Sequence, residues 1–133
     1  MANTRLREAK KLFESRLYDG AFYFCGYSIE LAFKARICKL MDIESYLENG
    51  EISRSFKIHD LNHLLLLSGL KKKLEYEISI NQDFAANWSL VTNWNEGYRY
   101  RPIGATSKMV TQEFIDAVEN PQNGVFTWLK TKW

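Results

Sequence analysis

The chain has 133 residues, a length that favours one domain with a single core. Apolar residues make up 46% of it and aromatic residues 14%, which excludes an intrinsically disordered protein. A formal net charge of +2 is too small to indicate nucleic-acid binding by itself, and no apolar run is long enough to span a membrane.

Local clusters of basic residues are interpreted as solvated helix faces. They comprise Arg5, Arg7, Lys10 and Lys11, then Lys71 to Lys73, and then Arg99 and Arg101. The first residues enter a charged amphipathic pattern rather than a secretion signal. Cys25 and Cys38 fall in one predicted helix about 20 Å apart, too far for a disulfide. Unpaired thiols are typical of a reducing compartment, so the sequence predicts a cytoplasmic protein without membrane association.

Helical periodicity begins near the amino terminus. Apolar residues at helical spacing from Leu6 to Leu17 predict a first helix over about 4–17. Asp19 is predicted to cap a second helix over about 20–41. That second helix is apolar nearly all round in its first half, so we expect it to be the central helix of the fold.

Two stripes run along the second helix. One consists of small residues that let another helix approach closely, namely Ala21, Cys25, Ser28, Ala32 and Ala35. The other carries Tyr23, Tyr27, Glu30 and Lys34. Because an unpaired carboxylate on so apolar a helix would carry a large desolvation cost, we expect Glu30 to point inward and pair with Lys34 or with Arg99. The stripe is then either an ordinary ion pair with tyrosines at the core edge or the polar wall of a pocket.

The rest of the chain is also helical in pattern. Asp60 is predicted to cap a third helix over about 60–68, and residues 71–80 are predicted to be helical in part. A fourth helix is predicted over about 82–99, and Pro102 and Gly104 are predicted to enforce a loop after it.

The last two helices follow that loop. One is predicted over about 107–119. Asn120 and Pro121 are then predicted to be the N-cap and first residue of a final helix that ends near Lys130. No stretch alternates with a period of two, so the prediction is an all-α protein, most simply an up-and-down bundle.

Three sequence blocks occur in order along the chain: GYSIELAFKARI at 26–37, KIHDLNHLL at 57–65 and WNEGYRY at 94–100. With the leading EAKKLF and the closing helix, this arrangement resembles the HEPN family (higher eukaryote and prokaryote nucleotide-binding domains). The resemblance implies one HEPN-like domain over 1–133 with a four- to five-helix up-and-down bundle, often homodimeric. It also implies nucleotide or RNA binding, or pairing with a minimal nucleotidyltransferase in a toxin–antitoxin system. No cofactor is predicted.

Many HEPN members are metal-independent ribonucleases that use an arginine and a histidine four to six residues apart. Arg54 and His59 have this spacing. A histidine can move the proton of a ribose 2′-hydroxyl, and an arginine can hold the scissile phosphate. However, the family's arginine is usually followed by Asn, Asp or His, where this chain has Ser55, and the motif normally lies in a late helix. We therefore favour Asp60 as a helix cap and His59 as its structural partner, with catalysis by Arg54 and His59 as the alternative.

His59 and His63 also lie four residues apart, a spacing that could present two imidazoles to a metal with help from Glu51 and Asp60. Residues 61–67 are interpreted as part of the apolar core, however, so no metal site is predicted.

The stretch Tyr98-Arg99-Tyr100-Arg101 interleaves cations with aromatic rings, a composition that suits phosphate contact and base stacking. The resemblance places an Arg-Tyr pair here, next to the domain cleft; the alternative is that Arg99 binds its own helix end or Glu30. The predicted ligand-binding residues are Glu30, Lys34, Tyr98, Arg99 and Arg101, and the candidate catalytic pair is Arg54 and His59. With four Trp, seven Tyr and eight Phe, the chain also predicts a homodimer, and a non-catalytic dimerisation scaffold is the remaining alternative.

Overall fold

The computed structural model describes residues 1–42 and 58–133, and every regular element in them is a helix. The α-helices in chain order are α1 (Ala2–Glu14), α2 (Tyr18–Met41), α3 (Leu61–Leu67), α4 (Lys71–Ile80), α5 (Gln82–Thr92), α6 (Lys108–Glu119) and α7 (Val125–Lys130). A 3-10 helix, Glu96–Tyr100, lies between α5 and α6. The all-α prediction is confirmed. The described residues hold more helices than the predicted four to five, because sharp turns divide the second half of the chain into short ones.

Helix α2 is the central helix, as predicted. It packs against α1, α3, α6, α7 and the 3-10 helix, so it is surrounded on nearly every side. This is the environment that an almost uniformly apolar helix requires. Four members of its small-residue stripe are buried, while Ala35 at the far end is exposed. Within the described residues, no helix is both long and apolar enough to cross a membrane.

Both cysteines are buried and unpaired, as predicted. Cys25 is completely enclosed, and this burial raises the pKa of its thiol well above the usual value. The negative charge of Glu119 raises the same pKa by a smaller amount. A thiol with so high a pKa is a packing residue rather than a nucleophile.

Asp19 is not the N-cap of α2, which is Leu17. The helix begins two residues earlier than the sequence indicates, and Asp19 lies in its first turn. Its carboxylate instead accepts bonds from the backbone N–H groups of Gly104, at 2.6 Å, and Thr106, at 2.9 Å. These bonds, chiefly the one from Gly104, hold the pKa of Asp19 below its usual value. The prediction was wrong because the partners of Asp19 lie in a distant loop.

The helix predicted over 82–99 ends at Thr92. The chain then turns Trp94 into the core, where its side chain is 2% exposed. Asn95 caps the 3-10 helix, accepting a bond from the N–H of Gly97 at 2.9 Å. The prediction was wrong because apolar residues continue at helical spacing beyond Thr92. The helix ends there because the chain turns to bury Trp94, which the spacing does not show.

The final helix begins at Val125 rather than at Pro121. The side-chain oxygen of Asn120 accepts bonds from the N–H groups of Gln122, at 3.0 Å, and Asn123, at 2.8 Å. These bonds close a turn instead of capping a helix. The prediction that Asn120 caps the final helix was therefore wrong.

Candidate functional site

A carboxylate lies completely inside the bundle, midway along α2. Glu30 is 0% exposed, and its Oε1 accepts a bond from Nζ of Lys34 at 2.7 Å. Lys34 is itself buried and lies one helical turn further along. The prediction that Glu30 points inward and pairs with a cation is confirmed. Such pairing is what makes a buried carboxylate tolerable.

His59 reaches the same carboxylate from the start of α3. Its Nδ1 lies 2.8 Å from Oε1 of Glu30, and its Nε2 lies 3.0 Å from Oε2 of Glu96 in the 3-10 helix. His59 therefore links three elements that are remote in sequence. Both ring nitrogens face carboxylate oxygens, and both can donate at once only in the imidazolium form.

The position of His59 follows from the helix cap beside it. Asp60 has extended backbone angles, and its Oδ1 accepts a bond from the N–H of His63 at 2.9 Å. The capping prediction for Asp60 is confirmed. Because an N-cap fixes where the helix begins, it also fixes the residue before it, which here is His59.

An open cleft of about 430 Å³ lies beside His59. Its described lining consists of Ile58, His59, Asp60, His63, Asn95 and Glu96, which includes neither lysine nor arginine. Among the described residues, this lining offers carboxylates and imidazoles but no guanidinium for a phosphate. Arg54, the proposed phosphate-binding partner of His59, lies outside the described residues. Within residues 1–42 and 58–133, no group of three or more His, Cys, Asp or Glu side chains is arranged to hold a metal.

Residues 98–101, the Arg–Tyr segment, project cations and a ring from the end of the 3-10 helix. The guanidinium of Arg101 lies 3.8 Å from the ring centroid of Tyr98, and that of Arg99 lies 5.0 Å from the ring centroid of Tyr100. Tyr98 anchors the segment, since its ring packs 5.0 Å from that of Phe22. Tyr100 is 77% exposed and both arginines are exposed, so three of the four side chains face solvent.

A stacked tyrosine pair lies next to this segment. The rings of Tyr23 and Tyr27 are 6.0 Å apart and nearly parallel, and both side chains are half-buried. Burial raises the pKa of each hydroxyl, and the nearby guanidinium of Arg99 partly opposes the rise. Arg99 therefore lies beside the tyrosine pair. It makes no ion pair with Glu30, so that part of the predicted alternative is wrong, and contact of Arg99 with its own helix end stays a prediction.

Sequence reasoning missed two residues of this site, Trp94 and Glu96. The ring of Trp94 lies directly on the backbone of α2 at Gly26, where an added Cβ would overlap the indole. A glycine inside a helical pattern is the sequence signal for such a close approach. Glu96 carries no comparable signal, because the predicted continuous helix over 82–99 would have oriented it differently.

The structure thus brings Glu30, Lys34 and His59 together and adds Glu96 to them. It places Arg99 and Arg101 on the nearby surface. Ligand binding by Glu30, Lys34, Tyr98, Arg99 and Arg101 stays a prediction, and so does catalysis by Arg54 and His59.

A protein-family model described as HEPN domain matches residues 1–121 of the 133. No curated protein and no solved structure shows significant similarity to the chain.

Proposed function

Because this chain belongs to the HEPN family, we propose that it is an RNA-binding protein whose binding surface centres on the Arg–Tyr segment. The observation that carries this proposal is the pair of exposed guanidiniums, each held against a tyrosine ring. Cations interleaved with aromatic rings contact phosphates and stack on bases, and they do so without needing a particular sequence.

Each side chain has a distinct part in this binding. A guanidinium held against a ring keeps N–H donors free for phosphate oxygens, so less side-chain entropy is lost when RNA binds. The exposed ring of Tyr100 provides a surface for a base. The half-buried ring of Tyr98 packs on Phe22 and holds the segment in place.

His59 acts in this proposal as a positioning residue. Its contact with Glu96 holds the first residue of the 3-10 helix, whose last residues are Arg99 and Tyr100. Both ring nitrogens lie within hydrogen-bond distance of carboxylate oxygens, so in this geometry each faces a carboxylate rather than a free position for a ribose hydroxyl. This arrangement favours binding over the alternative of a metal-independent ribonuclease that uses Arg54 and His59.

Fluorescence anisotropy with a labelled oligouridylate of about twelve nucleotides tests the proposal. The double substitution Arg99→Ala and Arg101→Ala should weaken binding at least about tenfold. The matched control is Lys72→Ala with Lys73→Ala, which removes the same charge from an exposed part of α4 and should change affinity less than about twofold. Equal losses in the two double variants, or none in either, would contradict a specific RNA surface here.

We also propose a homodimer, supported by exposed apolar side chains at one end of the bundle. Leu17 is 56% exposed and Ile103 fully exposed, and both line a cleft of about 240 Å³. Large apolar side chains that share an exposed cleft are typical of protein interfaces. A nucleotidyltransferase partner, a toxin–antitoxin role and a cytoplasmic location stay predictions.

A further inference from the structure

The first two helices form a second basic groove, remote in sequence from the Arg–Tyr segment. This groove, called here the α1 groove, has a volume of about 510 Å³, and its walls include Arg5, Arg7, Lys11 and the ring of Phe24. Arg5 lies over that ring, with its guanidinium 5.7 Å from the centroid. The α1 groove therefore repeats the combination of cation and aromatic ring that the Arg–Tyr segment presents.

The carboxylates near the α1 groove do not cancel its charge. Glu8 binds Arg5 at 2.6 Å, and Glu14 lies 3.3 Å from Lys11 in an exposed pair. Arg7 is exposed and makes no ion pair with any of the described residues. Exposed pairs such as Lys11 with Glu14 are weak, so the lysine can turn to a phosphate at little cost.

An aromatic row connects the two basic surfaces. The ring of Tyr23 lies 5.6 Å from that of Phe24, 6.0 Å from that of Tyr27 and 5.8 Å from that of Trp94. Tyr23 and Phe24 are each half-buried, so part of each residue remains accessible to solvent. Phe24 lines the α1 groove, and Trp94 precedes the 3-10 helix that carries the Arg–Tyr segment.

The electrostatics agree with this layout. Burial is the largest influence on the hydroxyl of Tyr27 and raises its pKa, while Arg5 and Arg99 each act to lower it. One of these cations belongs to the α1 groove and the other to the Arg–Tyr segment. Tyr27 is therefore influenced by one cation from each basic surface.

We infer that the α1 groove is a second phosphate-binding site for the same RNA strand, which would run from the Arg–Tyr segment across Tyr23 and Tyr27. This inference rests on the proposed RNA binding and extends it to a path of several nucleotides. The cations at both ends contact phosphates, and the rings between them receive bases. Single-stranded RNA is the ligand that fits, because its bases are free to stack.

Anisotropy titrations with the same twelve-nucleotide oligouridylate, repeated at several salt concentrations, test the inference. The double variant Arg7→Ala and Lys11→Ala should bind about five- to tenfold more weakly than wild type. Its salt dependence should be shallower by roughly one to two in the slope of log affinity against log salt. Lys72→Ala with Lys73→Ala is again the matched control, and circular dichroism checks that each variant remains folded.

The outcomes separate this inference from the proposal beneath it. If Arg7→Ala with Lys11→Ala binds within about twofold of wild type while Arg99→Ala with Arg101→Ala is weakened, the second site is wrong and the RNA surface stands. If only the α1 variant is weakened, the continuous path is wrong, since the strand does not touch the Arg–Tyr segment. If neither double variant changes the affinity for RNA, both the second site and the proposed RNA surface are wrong.

Discussion

The contacts of His59 distinguish a structural role from a catalytic role for the centre of this protein. It joins the buried carboxylate of Glu30 to Glu96, at distances of 2.8 and 3.0 Å. Oε1 of Glu30 accepts from both Lys34 and His59, whereas Oε2 has no hydrogen-bond partner among the described residues. Loss of the imidazole would leave that buried carboxylate with less compensation.

We therefore expect His59→Ala to lower the free energy of unfolding by about 1–3 kcal/mol, measured by urea denaturation. The range allows for the partial exposure of the ring, which weakens its bonds. His63→Ala is the matched control, because that side chain is exposed and should change stability by less than about 0.5 kcal/mol.

His59→Ala, together with Arg54→Ala, also tests catalysis. We expect purified protein to show no RNA cleavage attributable to it. Metal-independent cleavage that disappears in both Arg54→Ala and His59→Ala, while both variants remain as stable as wild type, would instead establish the ribonuclease alternative.

Asp19 should make stability depend on acidic pH. Its pKa is lower in the folded protein than the ordinary value of 3.8, so the unfolded chain binds its proton more readily. The resulting stabilisation is complete above that value and is lost as the pH falls through the folded-state pKa. Wild type should therefore lose more stability than Asp19→Asn between about pH 5 and pH 3, as measured by urea unfolding at each pH. Parallel pH profiles for the two proteins would show that the bonds to Gly104 and Thr106 do not stabilise the fold.

Among the elements, α2 and the chain after α5 come into direct contact at Gly26. Alanine is favoured over glycine inside a helix by about 1 kcal/mol, so Gly26→Ala would stabilise α2 if the space beside it were open. It is occupied by Trp94, which is nearly fully buried.

We expect Gly26→Ala to destabilise the protein by about 1–3 kcal/mol through overpacking. Thermal unfolding of Gly26→Ala, Trp94→Phe and the double variant measures this. The smaller ring should relieve part of the clash, so the double variant should lose less than the sum of the single losses. Stabilisation by Gly26→Ala alone would mean that Trp94 does not pack there.

Helix α7 completes the core, although it lies beyond the residues that the family match covers. Its buried side chains are Val125, Phe126, Trp128 and Leu129, and it packs against α2, α5 and α6. The backbone carbonyl of Lys132, just beyond it, accepts a bond from Arg36 of α2 at 2.8 Å. The last residues thus contact the central helix in two ways, by apolar packing and by this hydrogen bond.

Leu129→Ala should accordingly cost about 2–5 kcal/mol in unfolding free energy, measured by chemical denaturation. Gln122→Ala, at an exposed position in the preceding turn, is the control and should be nearly neutral. If the two variants were equally stable, α7 would be a peripheral element rather than part of the core.

For the molecule as a whole, the exposed apolar cleft between Leu17 and Ile103 predicts self-association. Sedimentation velocity at about 10–50 micromolar should give a dimer. Leu17→Glu with Ile103→Glu should give a folded monomer, because it introduces like charges where apolar surface would be buried. A wild-type monomer throughout this range would count against the homodimer.

The helical nature of the fold, the cap at Asp60 and the Glu30–Lys34 pair could be predicted from the sequence. Each depends on residues within one or two helical turns, where spacing along the chain determines distance in space. The family resemblance likewise came from short local blocks in a fixed order, and the family match over residues 1–121 confirms it.

Tertiary packing decided the rest. Asp19 binds backbone groups more than eighty residues away, His59 binds Glu30 across 29 positions, and Trp94 ends a helix whose apolar pattern continues. The basic residues Arg7, Lys10 and Lys11 of α1 are exposed, as predicted, and only the fold places Phe24 in one groove with Arg7 and Lys11. These relations depend on which helices pack together and at what angle, and short-range periodicity carries no information about either.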